Sequence, residues 1–122
     1  MIHLDELISL VNHPAIQGRR GEWKVGDFFW TNEDVFYDGP NIYSVQYNVE
    51  PPDDAIWLPP LSDPIQPERG LLGFLKGLLS IDYKGGNLGY YVWVIADDLM
   101  RHFDGPTPEI AVAKALIAQE EK

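Results

Sequence analysis

Apolar residues recur at helical spacing at the start of the chain. Leu4, Leu7, Ile8 and Val11 share one face, with Asp5, Glu6, Ser9 and Asn12 between them. This predicts an amphipathic helix. It ends before His13-Pro14, because the residue preceding a proline is kept out of the α region by the pyrrolidine ring. Asp5 and Glu6 fall in the first turn, where carboxylates complement the helix dipole. Residues 17–21, QGRRG, read as a loop. Residues 23–49 are aromatic and β-prone, with Trp23, Phe28, Phe29, Trp30, Phe36, Tyr37, Tyr43 and Tyr47. TNED at 31–34 and DGPN at 38–41 are turn signals. In the last piece Tyr43, Val45, Tyr47 and Val49 alternate with Ser44, Gln46 and Asn48, the period of a half-solvated antiparallel strand. A meander of two or three strands is expected here.

Residues 51–69, PPDDAIWLPPLSDPIQPER, hold six of the ten prolines and enclose the apolar triplet Ile56-Trp57-Leu58. The following RGLLGFLKGLLSI predicts a helix marked by Leu71, Leu72, Leu75, Leu78 and Leu79. KGGNLG at 84–89 then turns the chain. It leads into a strand rather than out of one, so a hairpin or bulged turn is expected and not a phosphate cradle. In residues 88–96, Leu88, Tyr90, Val92 and Val94 lie on one face and Tyr91, Trp93 and Ile95 on the other. A strand apolar on both faces belongs at the centre of a sheet. A polar segment, residues 97–106, precedes the final helix. There Thr107 is a good N-cap, Pro108 suits the first helical position, and Ile110, Ala113, Leu116 and Ile117 form the apolar stripe. Strands and helices without strict alternation predict an α+β fold. The expectation is one domain over residues 1–122, with a small, mostly antiparallel sheet of about four strands packed with three helices. No internal repeat is visible.

The composition narrows the function classes. Hydrophobic residues make up 45% of the 122, enough for a core. There is no cysteine, so disulfides, thiolate metal sites and cysteine nucleophiles are excluded. The formal net charge is −10. Nucleic-acid binding rests on basic contacts to phosphates, and an anionic membrane repels the same charge, so neither partner is expected. The first 61 residues carry ten acids and three bases, the remainder nine and six. A basic protein partner would fit this asymmetry, though solubility explains it as well. The N-terminus lacks the basic and long apolar regions of a signal peptide, and no apolar run reaches transmembrane length, so a cytoplasmic protein is expected.

Two groups of residues merit weighing as sites. Pro64, Pro67 and Arg69 make a P-x-x-P pattern followed by a base, which with Trp57 resembles a polyproline docking motif. The pattern is short and common. An edge segment pinned to the core by Trp57, where prolines remove no ladder bonds, is the expected reading. Gly73 and Gly77 are four apart in an apolar stretch and are expected to serve close helix-on-sheet packing. Asp97, Asp98, His102 and Asp104 follow the central strand. If residues 97–103 formed a helical turn, Asp98 and His102 would share a face at i,i+4 and could run acid-base chemistry or bind a metal. Two ligands do not make a site, and a solvated surface is the expected reading. His3 and His13 lack partners at a telling spacing. No cofactor motif is present.

DDAIWLPPLSDPI and the ending GPTPEIAVAKALIAQEE together resemble small uncharacterised phage and prophage proteins, in which a Trp-Leu-Pro segment precedes a helix and Thr-Pro opens an alanine-rich final helix. The ending is also similar to that of phage α/β/α-sandwich domains. The aromatic N-terminal meander departs from these patterns. The resemblance implies a phage-accessory origin and carries over no catalytic residue. The leading expectation is therefore a non-enzymatic accessory protein that binds another protein. The alternatives are a small enzyme using Asp98 and His102, and an acidic inhibitor or immunity-type protein that covers a basic partner surface.

Overall fold

The computed structural model describes residues 4–31, 42–47, 50–63, 65–85, 89–96 and 98–121. The fold is α+β. The described residues form four α-helices and two three-stranded antiparallel sheets, so the strands number six and lie in two sheets rather than one.

Helix α1, Leu4–Val11, is the predicted N-terminal helix, with Val11 buried. The break at His13-Pro14 holds, but the chain immediately starts again. Pro14 opens a one-turn helix, α2 (Pro14–Gln17), and His13 Nδ1 caps it by accepting from the Ala15 N–H at 3.1 Å. The loop expected from residue 17 thus begins only after this extra turn. Proline is pre-organised for a first helical position, and this signal was present in the sequence.

Strands β1 (Phe28–Trp30), β2 (Ile42–Ser44) and β3 (Ile56–Leu58) form the first sheet in the order β2-β1-β3. Phe29 faces Tyr43 on one side and Trp57 on the other. Residues 23–49 do supply two paired strands, but the sheet is not the expected meander, because β3 pairs on the far side of β1 instead of beside β2, and the strand read over residues 42–49 pairs only as far as Ser44. Val45 is still buried and its backbone bonds Asp27 and Gly26. Tyr47 is 79% exposed, and residues 48–49 lie outside the described part. Of the two turn signals, only Thr31 is described; it is buried and its hydroxyl donates to Asp54 Oδ1 at 2.9 Å.

The leucine-rich segment corrects the reading of one helix. Helix α3 spans only Leu71–Phe74, and residues Leu78–Tyr83 form strand β4. Burial stops at Leu75; Leu78 and Leu79 are 39% and 52% exposed. Gly77 is the switch. Its φ is +71°, and its carbonyl accepts from Ile95 N at 2.8 Å. A Cβ there would sit 1.9 Å from the Ile95 carbonyl oxygen. Gly77 does allow close packing, but between two strands. Gly73 lies exposed within α3.

Strands β5 (Tyr90–Ala96) and β6 (Leu99–Gly105) complete the second sheet, β4-β5-β6. Strand β5 is central, as its two apolar faces predict. KGGNLG links β4 to β5 as the expected hairpin, with Lys84 N donating to Gly89 O at 2.9 Å; residues 86–88 lie outside the described part. Helix α4, Pro108–Glu120, begins as read: Thr107 Oγ1 accepts from Ile110 N at 3.3 Å. Its buried surface is wider than a stripe, taking in Ile110–Ala113, Ala115 and Leu116. The alanines let it lie close against β5 and β6 on one side and α1–α3 on the other. Val92 and Val94 from β5, Leu71 and Phe74 from α3, and Trp57 from β3 close the core around it.

Candidate functional site

The residues of the docking motif are used inside the fold. Trp57 is fully buried on edge strand β3. Gln17 from α2 holds that strand: its side-chain amide donates to Trp57 O at 2.9 Å and accepts from Trp57 N at 2.9 Å. Arg69 ends a 3₁₀ turn, Pro67–Arg69, and is itself buried. Its guanidinium grips Asp27 with two bonds of 2.7 and 2.9 Å and lies 5.3 Å from the Trp57 ring. The hydrogen bond and charge of Asp27 raise the Arg69 pKa further above its ordinary value. Pro64 lies outside the described residues, and Pro67 is part of the 3₁₀ turn. A peptide-binding domain would find neither the ring nor the base of this motif on the surface.

Asp98 and His102 are not placed as a helical pair. The segment expected to coil is the hairpin between β5 and β6, where Ala96 opposes Leu99 and Asp98 adopts a φ of +62°. Four residues along a strand span about 13 Å, against about 6 Å along a helix. Asp98 is left at the hairpin tip and His102 in mid-strand. Asp97 lies outside the described residues. His13 caps α2 and meets Glu121 Oε1 at 3.2 Å; His3 is not described. Among the described residues no three potential ligands gather to hold a metal. Replacing Asp98 and His102 together by alanine is expected to leave stability within about 1 kcal/mol of the parent, as exposed positions usually do. Urea unfolding checks this, and a loss above about 2 kcal/mol would show a structural role that exposure hides.

The strand that displaced the predicted helical turn builds a different surface. Directly opposed residues share a sheet face. Trp93 opposes Ser80 and His102, Tyr91 opposes Asp82 and Asp104, and Ile95 opposes Met100. Val92 and Val94 point the other way, into the core. The outer face of β4-β5-β6 therefore carries Ile95, Trp93 and Tyr91 down its middle. His102 packs between the two rings, with centroids 4.8 Å from Trp93 and 5.4 Å from Tyr91. Lys84 closes the far end: its ammonium lies 4.3 Å from the Tyr91 centroid and bonds Asp104 Oδ2 at 2.9 Å. That hydrogen bond, reinforced by the Lys84 charge, holds the Asp104 carboxyl below its ordinary value. At the other end Met100 is 60% exposed.

Of the ten exposed large hydrophobic side chains among the described residues, Ile95 and Met100 lie on this outer face, while Leu78, Tyr83 and Leu99 oppose Val94, Tyr90 and Ala96 and belong to the other face. Single apolar side chains on a surface are ordinary; here Ile95 and Met100 adjoin the Trp93 and Tyr91 rings, and a contiguous file of this kind marks a contact site. The two apolar faces of β5 place it at the centre of its sheet, as expected, but they do not say whether both faces are covered. Helix α4 covers only one of those faces. The polar run after β5 concealed that β6 would bring His102 and Met100 alongside. Comparison of the chain with protein-family models, with curated proteins and with solved structures gives no match.

Proposed function

We propose that this chain is a non-enzymatic accessory protein of phage or prophage type that acts by binding another protein, and that the outer face of β4-β5-β6 is the surface it uses. The observation that carries the reading is the file of Ile95, exposed, and Trp93 and Tyr91, half-buried, flanked by Met100 and His102. Aromatic and methionine side chains are the types enriched where binding energy concentrates. Three strands of about seven residues present roughly 350 Å² of sheet plane. A standard interface covers about 800 Å² per partner, so this face makes its centre and the exposed edge of β6 its rim. The resemblance of the Trp-Leu-Pro and Thr-Pro segments supports the phage-type assignment. The enzyme alternative loses its motivating pair, since Asp98 and His102 lie on different parts of the hairpin. An inhibitor or immunity-type protein is a narrower form of the same binding reading, and the net charge of −10 supports it.

Capture from a host lysate with the parent and with Trp93→Ala/Met100→Ala is the test. The parent and Asp98→Ala should retain the same partner. The face variant should lose it, because truncating a central aromatic typically weakens binding by about thirtyfold or more. Melting curves must show the face variant folded. Retention of the partner by a folded face variant would place the binding surface elsewhere.

A further inference from the structure

A second surface lies beside the first sheet. Residues 20–23 and 25, residues 45–46 after β2, and residues 50–53 and 55 before β3 line an open groove of about 980 Å³. Its apolar lining is Trp23, Val25, Val45, Pro51, Pro52 and Ala55. Trp23 is braced edge-on against Phe29 of β1, with centroids 5.7 Å apart, so the ring is held in place. Glu22, Glu50 and Asp53 stand around it, exposed. Among the described residues none of these three carboxylates has a hydrogen-bonding or ionic partner. Asp27, Asp104, Glu6 and Glu120 each have a cation of their own; among the described residues Asp5, Glu68, Asp98 and Glu109 also lack one, so what sets these three apart is that they line one groove beside an indole ring. Among the described residues the groove is lined by one base, Arg20, whose guanidinium lies over the Trp23 ring at 4.1 Å and meets no carboxylate.

We propose that this groove binds a basic, extended segment of a protein partner, with one arginine side chain of the segment stacking on Trp23 in place of Arg20. The occupant follows from charge complementarity. An indole face attracts a cation, and the attraction grows as the pair leaves water. Arg20 shows that this ring accepts a guanidinium. Among the described lining residues three unpaired carboxylates surround one cation, which leaves the groove short of positive charge, and the chain's own charge steers a basic segment toward it. Prolines 51 and 52 keep one wall rigid, which lowers the ordering cost of binding. An acidic or neutral peptide gains none of these terms. Arginine fits better than lysine because its planar group both stacks and forks to carboxylates. The groove is separate from the outer face of β4-β5-β6, and neither proposal depends on the other.

The experiment titrates the ¹⁵N-labelled protein with three blocked octapeptides of alternating sequence, Arg-Ala, Lys-Ala and Glu-Ala. The indole N–H signal of Trp23 is assigned with Trp23→Phe. The Arg-Ala peptide should shift the Trp23 and Arg20 signals and bind more tightly than Lys-Ala, while Glu-Ala leaves both signals unmoved. Raising salt from 50 to 300 mM should weaken binding, as expected for charge-led association. Glu50→Gln/Asp53→Asn changes only exposed rim groups, so the fold stays intact, and it should weaken Arg-Ala binding roughly threefold to tenfold. Arg20→Ala should tighten it by freeing the ring. Three results would each overturn the proposal: no shift at millimolar Arg-Ala peptide, equal shifts with Glu-Ala, or unchanged affinity in the folded rim variant.

Discussion

Trp57→Ala is expected to lower the unfolding free energy by about 3–5 kcal/mol, the range for emptying a fully buried aromatic site. The ring is completely buried, lies tilted against Phe74 with centroids 6.1 Å apart, and belongs to the core cluster that includes residues of α3, α4 and β5. Its neighbours cannot fill that space. Gln17 and the Arg69–Asp27 pair hold the segments on both sides of it. A second substitution separates packing from polarity. Among the described residues the indole Nε1 of Trp57 is buried with no hydrogen-bond partner. An unmet buried donor costs about 1–3 kcal/mol. Trp57→Phe keeps much of the ring and removes that donor, so it should cost clearly less than Trp57→Ala. Urea unfolding of the three proteins is the measurement. A Trp57→Ala variant as stable as the parent would mean that the ring is not a core anchor.

Arg69→Ala should destabilise by a similar amount, about 3–5 kcal/mol, for a different reason. The side chains of Arg69 and Asp27 are only 10% and 12% exposed. Removing the guanidinium strands a carboxylate in a place with little water, and this stranding is what makes one-sided deletions of buried pairs so damaging. The guanidinium also donates to the Arg20 carbonyl at 3.2 Å, so the loop before β1 loses its tie to the 3₁₀ turn. The raised pKa keeps Arg69 charged. By the sign of that shift its contribution is fully present below the unfolded-state value and fades only as pH rises through the folded one, beyond the usual arginine range. Removing both charges is the discriminating control. Asp27→Asn/Arg69→Met should be markedly more stable than Arg69→Ala alone, because no buried charge remains unpaired. If the double variant is as unstable as the single one, the loss comes from the tie to the loop and not from the stranded carboxylate.

Part of this protein was determined by sequence alone, and that part is local. Thr107-Pro108 starts a helix because a hydroxyl and a pre-set φ satisfy its first turn, whatever else surrounds it. Two leucines, an isoleucine and a valine at helical spacing make α1. Two apolar faces put Tyr90–Ala96 at the centre of a sheet, and an apolar triplet among prolines put Trp57 in the core. These signals lie within a few residues of the structure they specify.

What the tertiary structure decided alone involves partners distant in the chain. Leu78 and Leu79 fit a helical pattern with Leu71 and Leu75, and no nearby residue contradicts it. They are strand because the Gly77 carbonyl finds Ile95 and residues 78–83 pair with β5, a partner that only the folded chain brings alongside. Leu99–Gly105 shows no apolar period and becomes a strand only because β5 has an open edge to fill. The same pairing separates Asp98 from His102 and sets His102 between Trp93 and Tyr91, so the candidate surface exists only once the ladder forms. Arg69 lies 42 positions from the aspartate that turns a motif base into a buried strut. Helix signals can be read along a sequence because their hydrogen bonds close within four residues. Strand pairing, burial of one sheet face and the partner of a charge depend on which distant segments meet, and the spacing of residues does not encode that.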